Sequence, residues 1–421
     1  MSPSRRGRSG NTSRPGSGST AVRARALLEG PELAVPLAEL LTPHRLVLES
    51  WDHERTFDRP GAGVTALCRV AALDPAGARI SLYAGITTAP AAVRGPVLRT
   101  SAAGTPLFLW LHPHDPLLPD LPWALSPEQI GQQVFGGADS AGVRLKVAGY
   151  RPLRRAVVQA AAGQSQAYVK VVLPGQADGL RQRHEILAAS AVPSPVLLPG
   201  AEGRSAVVVA ALPGKPLVRE LAAGTSRITA ADLTGLLDAL PESALALRRR
   251  PAWAERAHAY GRAARGVLPG LEARIHQVSA GIAALVADLD PGPVVPVHGD
   301  FYEGNLLTAD GRITGLLDVD GLGPGHRIDD LAAFLGHLAV LAHLSPESAL
   351  PRQLDAFQGP FETAAVQAGS SAPALNARAA GVALSLVAGA RAGQLDRQAN
   401  AERRLAAAEY LLERARQGPG A

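Results

Sequence analysis

The stretch Val297-His298-Gly299-Asp300-Phe301-Tyr302-Glu303-Gly304-Asn305-Leu306-Leu307 runs through Thr308-Ala309-Asp310-Gly311-Arg312 to Leu317-Asp318-Val319-Asp320. Its centre, Asp310-Gly311, lies between aliphatic runs. A type I′ hairpin needs positive φ at both central residues, and Asp-Gly supplies it. The spacing then pairs Ala309 with Arg312 and Thr308 with Ile313, and it sets Asn305 opposite Leu316. Asp318 becomes the diagonal neighbour of Asn305 on one face, about 7–8 Å away. Two side-chain oxygens can close that distance onto one ion. A carboxylate and an amide carbonyl are hard oxygen ligands suited to Mg²⁺. Asp300 opens the same element and is placed to take a proton from an incoming hydroxyl. The register predicts a base, Asp300, beside a magnesium site made by Asn305 and Asp318.

His298-x-Asp300-x4-Asn305, followed by an aliphatic run to Asp318, resembles the catalytic segment of the aminoglycoside phosphotransferase and choline kinase family. That family is similar in fold to protein kinases, whose catalytic loop carries Asp and Asn at this spacing. The resemblance implies ATP as phosphoryl donor, Mg²⁺ on Asn305 and Asp318, and Asp300 as catalytic base. His298 is expected to fix the loop by hydrogen bonds. Downstream, Gly323-Pro324-Gly325-His326-Arg327-Ile328-Asp329-Asp330-Leu331-Ala332 resembles the family's segment in which an aspartate caps a helix and braces the loop. Asp330 matches it best. His326 and Arg327 depart from the commoner Asp-Pro.

Upstream, the patterning predicts a small antiparallel lobe. Strands are expected over Val143–Tyr150, Arg155–Ala161, Ala167–Leu173, Pro195–Leu198 and Ser205–Ala211, with a helix over Ala177–Ser190. Lys170 lies inside the third strand among Tyr168, Val169, Val171 and Val172, so it is covered and needs a partner. Protein kinases pair such a lysine with a glutamate on the next helix and hold it against the nucleotide phosphates. By resemblance, Lys170 and Glu185 take those places. Val209–Ala211, before Leu212-Pro213-Gly214, matches the hinge whose backbone meets adenine, which assigns Val209 and Ala211 to ATP. No glycine-rich phosphate loop occurs. Arg154 and Arg155, in the turn between the first two strands, stand as a bidentate phosphate clamp in its place; solvated turn arginines are the equal alternative.

Charge bears on the class of partner. The formal net charge is +5, yet residues 1–30 carry six arginines against Glu29, so the rest of the chain is formally neutral. A basic tail is not a folded nucleic-acid face. Residues 1–30 read as a disordered basic tail, Ser/Gly/Arg/Pro-rich to about residue 22. No apolar run reaches the roughly 18 residues of a membrane span, and no apolar segment follows the basic N-terminus as in a signal peptide. With Cys68 the single cysteine, no internal disulfide forms, and a cytoplasmic setting is the expectation. Residues 31–125 read as a β-rich domain with strands over Arg45–Thr56, Gly63–Leu73, Ala78–Thr88 and Thr105–His112, and a turn at Asp74-Pro75-Ala76-Gly77. His112, His114 and Asp115 around Pro113 read as a loop in preference to a metal site, and Asp115–Pro122 reads as a proline-rich linker.

From 226 onward the spacing is helical, over Ala230–Arg250, Pro251–Arg265, Leu271–Asp288, Asp329–Leu344, Gln353–Ala368, Ala374–Ala392 and Asp396–Gln417. The sequence therefore predicts an α+β chain with a protein-kinase-like two-lobe fold: tail 1–30, β-rich domain 31–125, small antiparallel lobe 126–212, and helical lobe 213–421 carrying the catalytic loop. The expected activity is ATP- and Mg²⁺-dependent transfer of the γ-phosphoryl group to a hydroxyl of a small molecule, without nucleic-acid or membrane partners. A nucleotide-binding regulatory protein with little turnover is the alternative. Glu303 and Asp320 are candidate acceptor contacts. Residues 331–421 hold seven acidic residues and eight arginines, a balance that favours a neutral or weakly charged acceptor over a polycation.

Overall fold

Residues Ser17–Glu29 form helix α1 and Ala34–Leu41 form α2. Five strands follow, β1 (Val47–Arg59), β2 (Gly63–Leu73), β3 (Arg79–Thr87), β4 (Leu98–Ala102) and β5 (Thr105–Leu111). They make one antiparallel sheet in the order β1-β2-β3-β5-β4. Strand periodicity explains its inner face: Val64, Ala66, Cys68, Val70 and Ala72 alternate along β2 and are all buried. Leu28, Leu33, Leu37 and Leu41 of the helical segment belong to the same core. Burial pushes the Cys68 thiol up to about 12, so it is an inert core residue. The Asp74 turn forms as expected, its Oδ1 accepting from the Ala76 and Ala78 N–H groups at 2.9 and 2.8 Å.

The computed structural model describes residues 17–59, 63–89, 96–391 and 395–417. The expected tail therefore lies partly outside the described residues, and from Ser17 onward it is corrected to helix. Ala24, Leu27 and Leu28 recur at three- and four-residue spacing and are buried, which gives this arginine-rich segment an apolar side. The chain divides into one unit of residues 1–117 with 151–153 and another of 118–150 with 154–421. The division thus falls at 117/118, not at 125. Leu118, Leu121, Trp123 and Ala124 are core residues of the second unit, so the proline-rich stretch is packed and not a free linker. Within the first unit, buried Asp115 accepts from Leu117 N–H at 2.9 Å and Leu153 N–H at 2.7 Å.

The second unit starts with α3 (Leu121–Ala124) and α4 (Pro127–Gln133). Then come β6 (Val143–Arg151), β7 (Arg155–Ala162), β8 (Ser165–Val172), α5 (Ala177–Ala188), β9 (Leu197–Leu198) and β10 (Ala206–Ala210). The strands form a five-stranded sheet in the order β6-β7-β8-β10-β9. Next are β11 (Lys215–Pro216), α6 (Leu217–Ala223), α7 (Ala230–Asp238), α8 (Ala257–Arg265) and α9 (Glu272–Asp288). β12 (Val294–Val297), β13 (Leu306–Ala309), β14 (Arg312–Leu316) and β15 (Gly323–His326) frame the catalytic stretch. The remainder is helical: α10 (Arg327–Leu344), α11 (Leu350–Gln367), α12 (Ala372–Val387) and α13 (Arg397–Gln417). The two helices expected over 230–265 break up. Only 230–238 and 257–265 are α-helical, because prolines at 241 and 251 remove backbone donors from the intervening turns.

Phe301, Phe334, Phe357 and Phe361 pack in the helical core, with ring centroids 5.0–6.3 Å apart. Phe301 immediately follows Asp300, so the loop carrying the expected base is anchored in the apolar core of the unit. The mixed helix and antiparallel-sheet content agrees with the α+β expectation.

Candidate active site

The β13–β14 hairpin turns where the Asp-Gly pair predicts, with Asp310 and Gly311 at φ 52° and 74°. Ala309 faces Arg312 and Thr308 faces Ile313, as expected. The register then slips. Leu307 pairs with Gly315 and Leu306 with Leu316, so Asn305 is not opposite Leu316. The Leu317 N–H donates to the Asn305 carbonyl at 2.8 Å instead. The cause is a bulge at Thr314, whose hydroxyl donates to the Pro213 carbonyl at 2.8 Å. The Asn305 amide Nδ2 donates to the Asp300 carbonyl at 2.9 Å, leaving Oδ1 as the acceptor side of that amide.

Asp318 follows the hairpin in the left-handed region, at φ 55° and ψ 55°, which Asp tolerates better than most side chains. Its carboxylate meets a cluster of cations. Lys170 Nζ donates to Asp318 Oδ1 at 2.6 Å and to Asp320 Oδ1 at 2.5 Å. Arg155 sits 3.3 Å from Asp320 and 3.6 Å from Asp318. Burial raises the Asp318 pKa, but Lys170 and Arg155 overcome it and hold the carboxyl below its ordinary value. An ionised carboxylate and an amide oxygen fit a hard divalent cation, so Asp318 and Asn305 suit Mg²⁺.

His298 is fully buried, with Nε2 bonded to the Leu317 carbonyl at 2.9 Å. The N–H groups of His298 and Gly299 donate to the two carboxylate oxygens of Asp330, at 2.7 and 2.8 Å. Asp330 lies in the first turn of α10, where the helix dipole favours a negative charge. Burial nonetheless pushes its pKa up to about 7, against those two donors and Arg327. Gly299 has φ 82°, and a Cβ there would sit 2.8 Å from the Gly321 carbonyl. The loop before the base thus lies directly on the Asp318–Gly321 turn.

The sequence model of the APH phosphotransferase enzyme family matches residues 147–368, over half of the chain. The chain belongs to this phosphotransferase family. No curated protein matches the sequence. Solved structures similar to this chain include a thermostable mutant of aminoglycoside phosphotransferase APH(4)-Ia in ternary complex with ADP and hygromycin B. The identity there is 18%, covering 71% of this chain and 100% of that one, with a TM-score of 0.46. A choline kinase from Cryptosporidium parvum Iowa II is 11% identical over 66% of this chain and 90% of that one, with a TM-score of 0.43. A choline/ethanolamine kinase family protein from Mesorhizobium loti is 17% identical over 65% and 93%, with a TM-score of 0.44.

Several expected site residues stand elsewhere. Glu185 is exposed on α5 and does not meet Lys170, which is bonded to the two aspartates. The helix turns His184 inward instead. His184 Nδ1 bonds the Pro195 carbonyl at 2.9 Å, and burial, with Lys170 nearby, lowers its pKa. Arg183 is buried too, its Nε donating to the Leu322 carbonyl at 3.1 Å. Arg154 is exposed, whereas Arg155 reaches the aspartates. Ala211 donates its N–H to the Gln166 carbonyl at 3.2 Å, and Val209 pairs with Tyr168 and Leu197, so neither assigned N–H is an obvious adenine donor. Asp320 is committed to Lys170 and Arg155. Glu303 is buried, its pKa pushed up to about 7 by burial and by Asp300, so neither lies open to an acceptor.

Sequence reasoning missed the aromatic surroundings of Asp300. Tyr302 stacks on His337 with ring centroids 4.0 Å apart. Burial and the Asp300 charge push the Tyr302 phenol up to about 12. Tyr260 of α8 also feels Asp300. Neither α8 nor α10 is near 300 in sequence, and an aromatic at helical spacing reads as core. Among the described residues no group of three His, Cys, Asp or Glu side chains makes a separate metal centre. No described helix is long and apolar enough to cross a membrane.

Proposed function

We propose that this protein transfers the γ-phosphoryl group of ATP to a hydroxyl of a small molecule, in a kinase-like fold, with Mg²⁺ bound by Asp318 and Asn305. The observation that carries the reading is the convergence of Lys170 and Arg155 on Asp318 and Asp320, beside the loop that presents Asp300 and Asn305. Two cations held against two carboxylates form a preorganised polyphosphate site. When the triphosphate arrives, Lys170 and Arg155 exchange carboxylate oxygens for phosphate oxygens. Asp318, held ionised, is freed to face the metal. Bound Mg²⁺ would supply charge neutralisation on the phosphate oxygens.

Asp300 orients the acceptor hydroxyl and takes its proton as that oxygen bonds to the γ-phosphorus and the bond to the β-phosphate oxygen breaks, releasing ADP. Asp330 and His298 hold the loop so that Asp300 keeps its place. The acceptor is proposed to be neutral or weakly charged. Several carboxylates of the C-terminal helices support this, because they are already engaged. Glu362 accepts from Arg414, Asn376 and Gln358, Glu409 pairs with Arg274, and Asp329 with Arg378. ADP release from ATP·Mg²⁺ should be measured over neutral sugars, amino alcohols and aminoglycosides, comparing kcat/KM at low and high salt. Turnover of neutral hydroxyl compounds with weak salt dependence is expected. Efficient, salt-sensitive turnover of an aminoglycoside with sugars inert would overturn the acceptor assignment.

A further inference from the structure

Arg183 stands on the buried side of α5, whereas Glu185 on the same helix faces solvent. Among the described residues its guanidinium has no carboxylate at ion-pairing distance. Its bonds go to backbone carbonyls: Nε donates to Leu322 at 3.1 Å and a terminal nitrogen donates to Gly179 at 2.5 Å. A buried charge is costly, and a neutral side chain of similar size would ordinarily fill such a place at lower cost. Leu322 gives the arginine a purpose, because it closes the turn that carries Asp318 and Asp320. The other end of that turn is tied too. The Leu317 N–H donates to the Asn305 carbonyl at 2.8 Å, and the Leu317 carbonyl is bonded to His298 Nε2 at 2.9 Å. Its middle lies against the loop before the base, since a Cβ on Gly321 would sit 2.6 Å from the His298 carbonyl. Between the two ends Asp318 holds φ 55° and ψ 55°. A residue other than glycine keeps that conformation where its surroundings fix it.

We infer that Arg183 is a positioning residue for the magnesium site: by holding the Leu322 carbonyl it fixes the turn in the shape that Asp318 needs to bind the metal. This rests on the assignment of Mg²⁺ to Asp318 and Asn305 above, and it adds the residue through which α5 acts on that site. The expected route from this helix ran through Glu185 to Lys170. Lys170 is held by Asp318 and Asp320 instead, and the helix reaches the turn that carries them. Metal binding, and not the placing of the lysine, therefore depends on α5. A guanidinium suits the task, because its donors are set in a rigid planar fork. Groups that orient a metal ligand are typically worth about 10–100-fold in metal affinity, and Arg183, acting through the backbone, belongs at the low end.

The test uses the full chain and AMP-PNP, titrated by calorimetry once with Mg²⁺ and once with EDTA. The ratio of the two dissociation constants is the metal's contribution to nucleotide binding, and no acceptor or turnover is needed to read it. Arg183→Met keeps most of the side-chain stem and removes the donors. It should shrink that ratio about tenfold and leave the affinity in EDTA unchanged. Arg183→Lys keeps the charge without the fork and should shrink the ratio less; it carries the test if Arg183→Met does not fold. Leu187→Ala is the control for a helix that is merely loosened. Leu187 is buried one turn further along α5, so its truncation lowers the melting temperature and should leave the ratio at the wild-type value. A wild-type ratio in both Arg183 variants, or an equal fall in Leu187→Ala, would overturn the inference and leave the magnesium assignment standing. Wild-type protein that binds AMP-PNP equally well with Mg²⁺ and with EDTA would contradict the magnesium assignment, and this inference with it.

Discussion

Lys170→Met without nucleotide should destabilise the second unit by an amount the geometry sets. Lys170 Nζ bridges Asp318 and Asp320 at 2.6 and 2.5 Å, with 13% of its side chain exposed against 24% and 23% for the aspartates. Removing one partner of a fully buried pair costs about 3–5 kcal/mol, and an exposed pair contributes about 0–1 kcal/mol. This cluster lies between those limits, and Arg155 stays beside both carboxylates. The expected loss is therefore about 1.5–3 kcal/mol at pH 7. Asp318 has a depressed pKa, so its contribution is present above the unfolded carboxyl value and is lost as pH falls through the folded one. At pH 7 it is fully present. Urea unfolding followed by tryptophan fluorescence measures the loss. The control is Lys170→Met in an Asp318→Asn, Asp320→Asn background, where the lysine has no carboxylate to hold and its removal should be neutral or stabilising. The same loss in both backgrounds, or none in the wild type, would refute the cluster as the origin.

Asp318→Ala should raise the Mg²⁺ concentration needed for half-maximal turnover, whereas Lys170→Ala should raise the KM for ATP at an unchanged magnesium requirement; Mg²⁺ titration of both separates them. Asp330→Ala leaves the His298 and Gly299 donors unpaired and should cost about 2–6 kcal/mol, at about 1–3 for each of the two groups, read by urea unfolding together with a fall in kcat. His337 is pushed down to about 4 by burial and Arg404, so the unfolded chain binds the extra proton between pH 4 and 6.5 and stability is lost as pH falls through that window. His337→Phe keeps a ring under Tyr302 and should remove a loss of up to about 3 kcal/mol; unfolding curves for both proteins from pH 7 to pH 4 check it.

The elements nearest the chemistry were legible because local rules govern them. The Asp310-Gly311 turn follows from backbone sterics alone, and the buried Lys170 strand announced its need for a partner. The register did slip, because Thr314 bonds to Pro213, a contact about a hundred residues away in sequence that no local pattern carries. Lys170's partner was misassigned for a similar reason. A one-residue rotation of α5 puts His184 and Arg183 inward and Glu185 in solvent, and helical spacing fixes a face only to within such a step. The arginine-rich start of the chain was read from its composition, while Ala24, Leu27 and Leu28 gave it a buried side. The stacking of Tyr302 on His337 was invisible because it depends on how α10 packs against the loop after Asp300.

The most direct test of the central claim is Asp300→Asn, followed by ³¹P NMR with ATP·Mg²⁺ and the best acceptor, alongside calorimetric ATP titration. The account predicts that wild-type protein forms ADP and a phosphomonoester in equal amounts. The variant should bind ATP within a few-fold of wild type and turn over at least about 10²-fold more slowly, the usual contribution of a positioned base. Phosphomonoester formed at a near wild-type rate by Asp300→Asn, or none formed by wild-type protein that binds ATP, would contradict it.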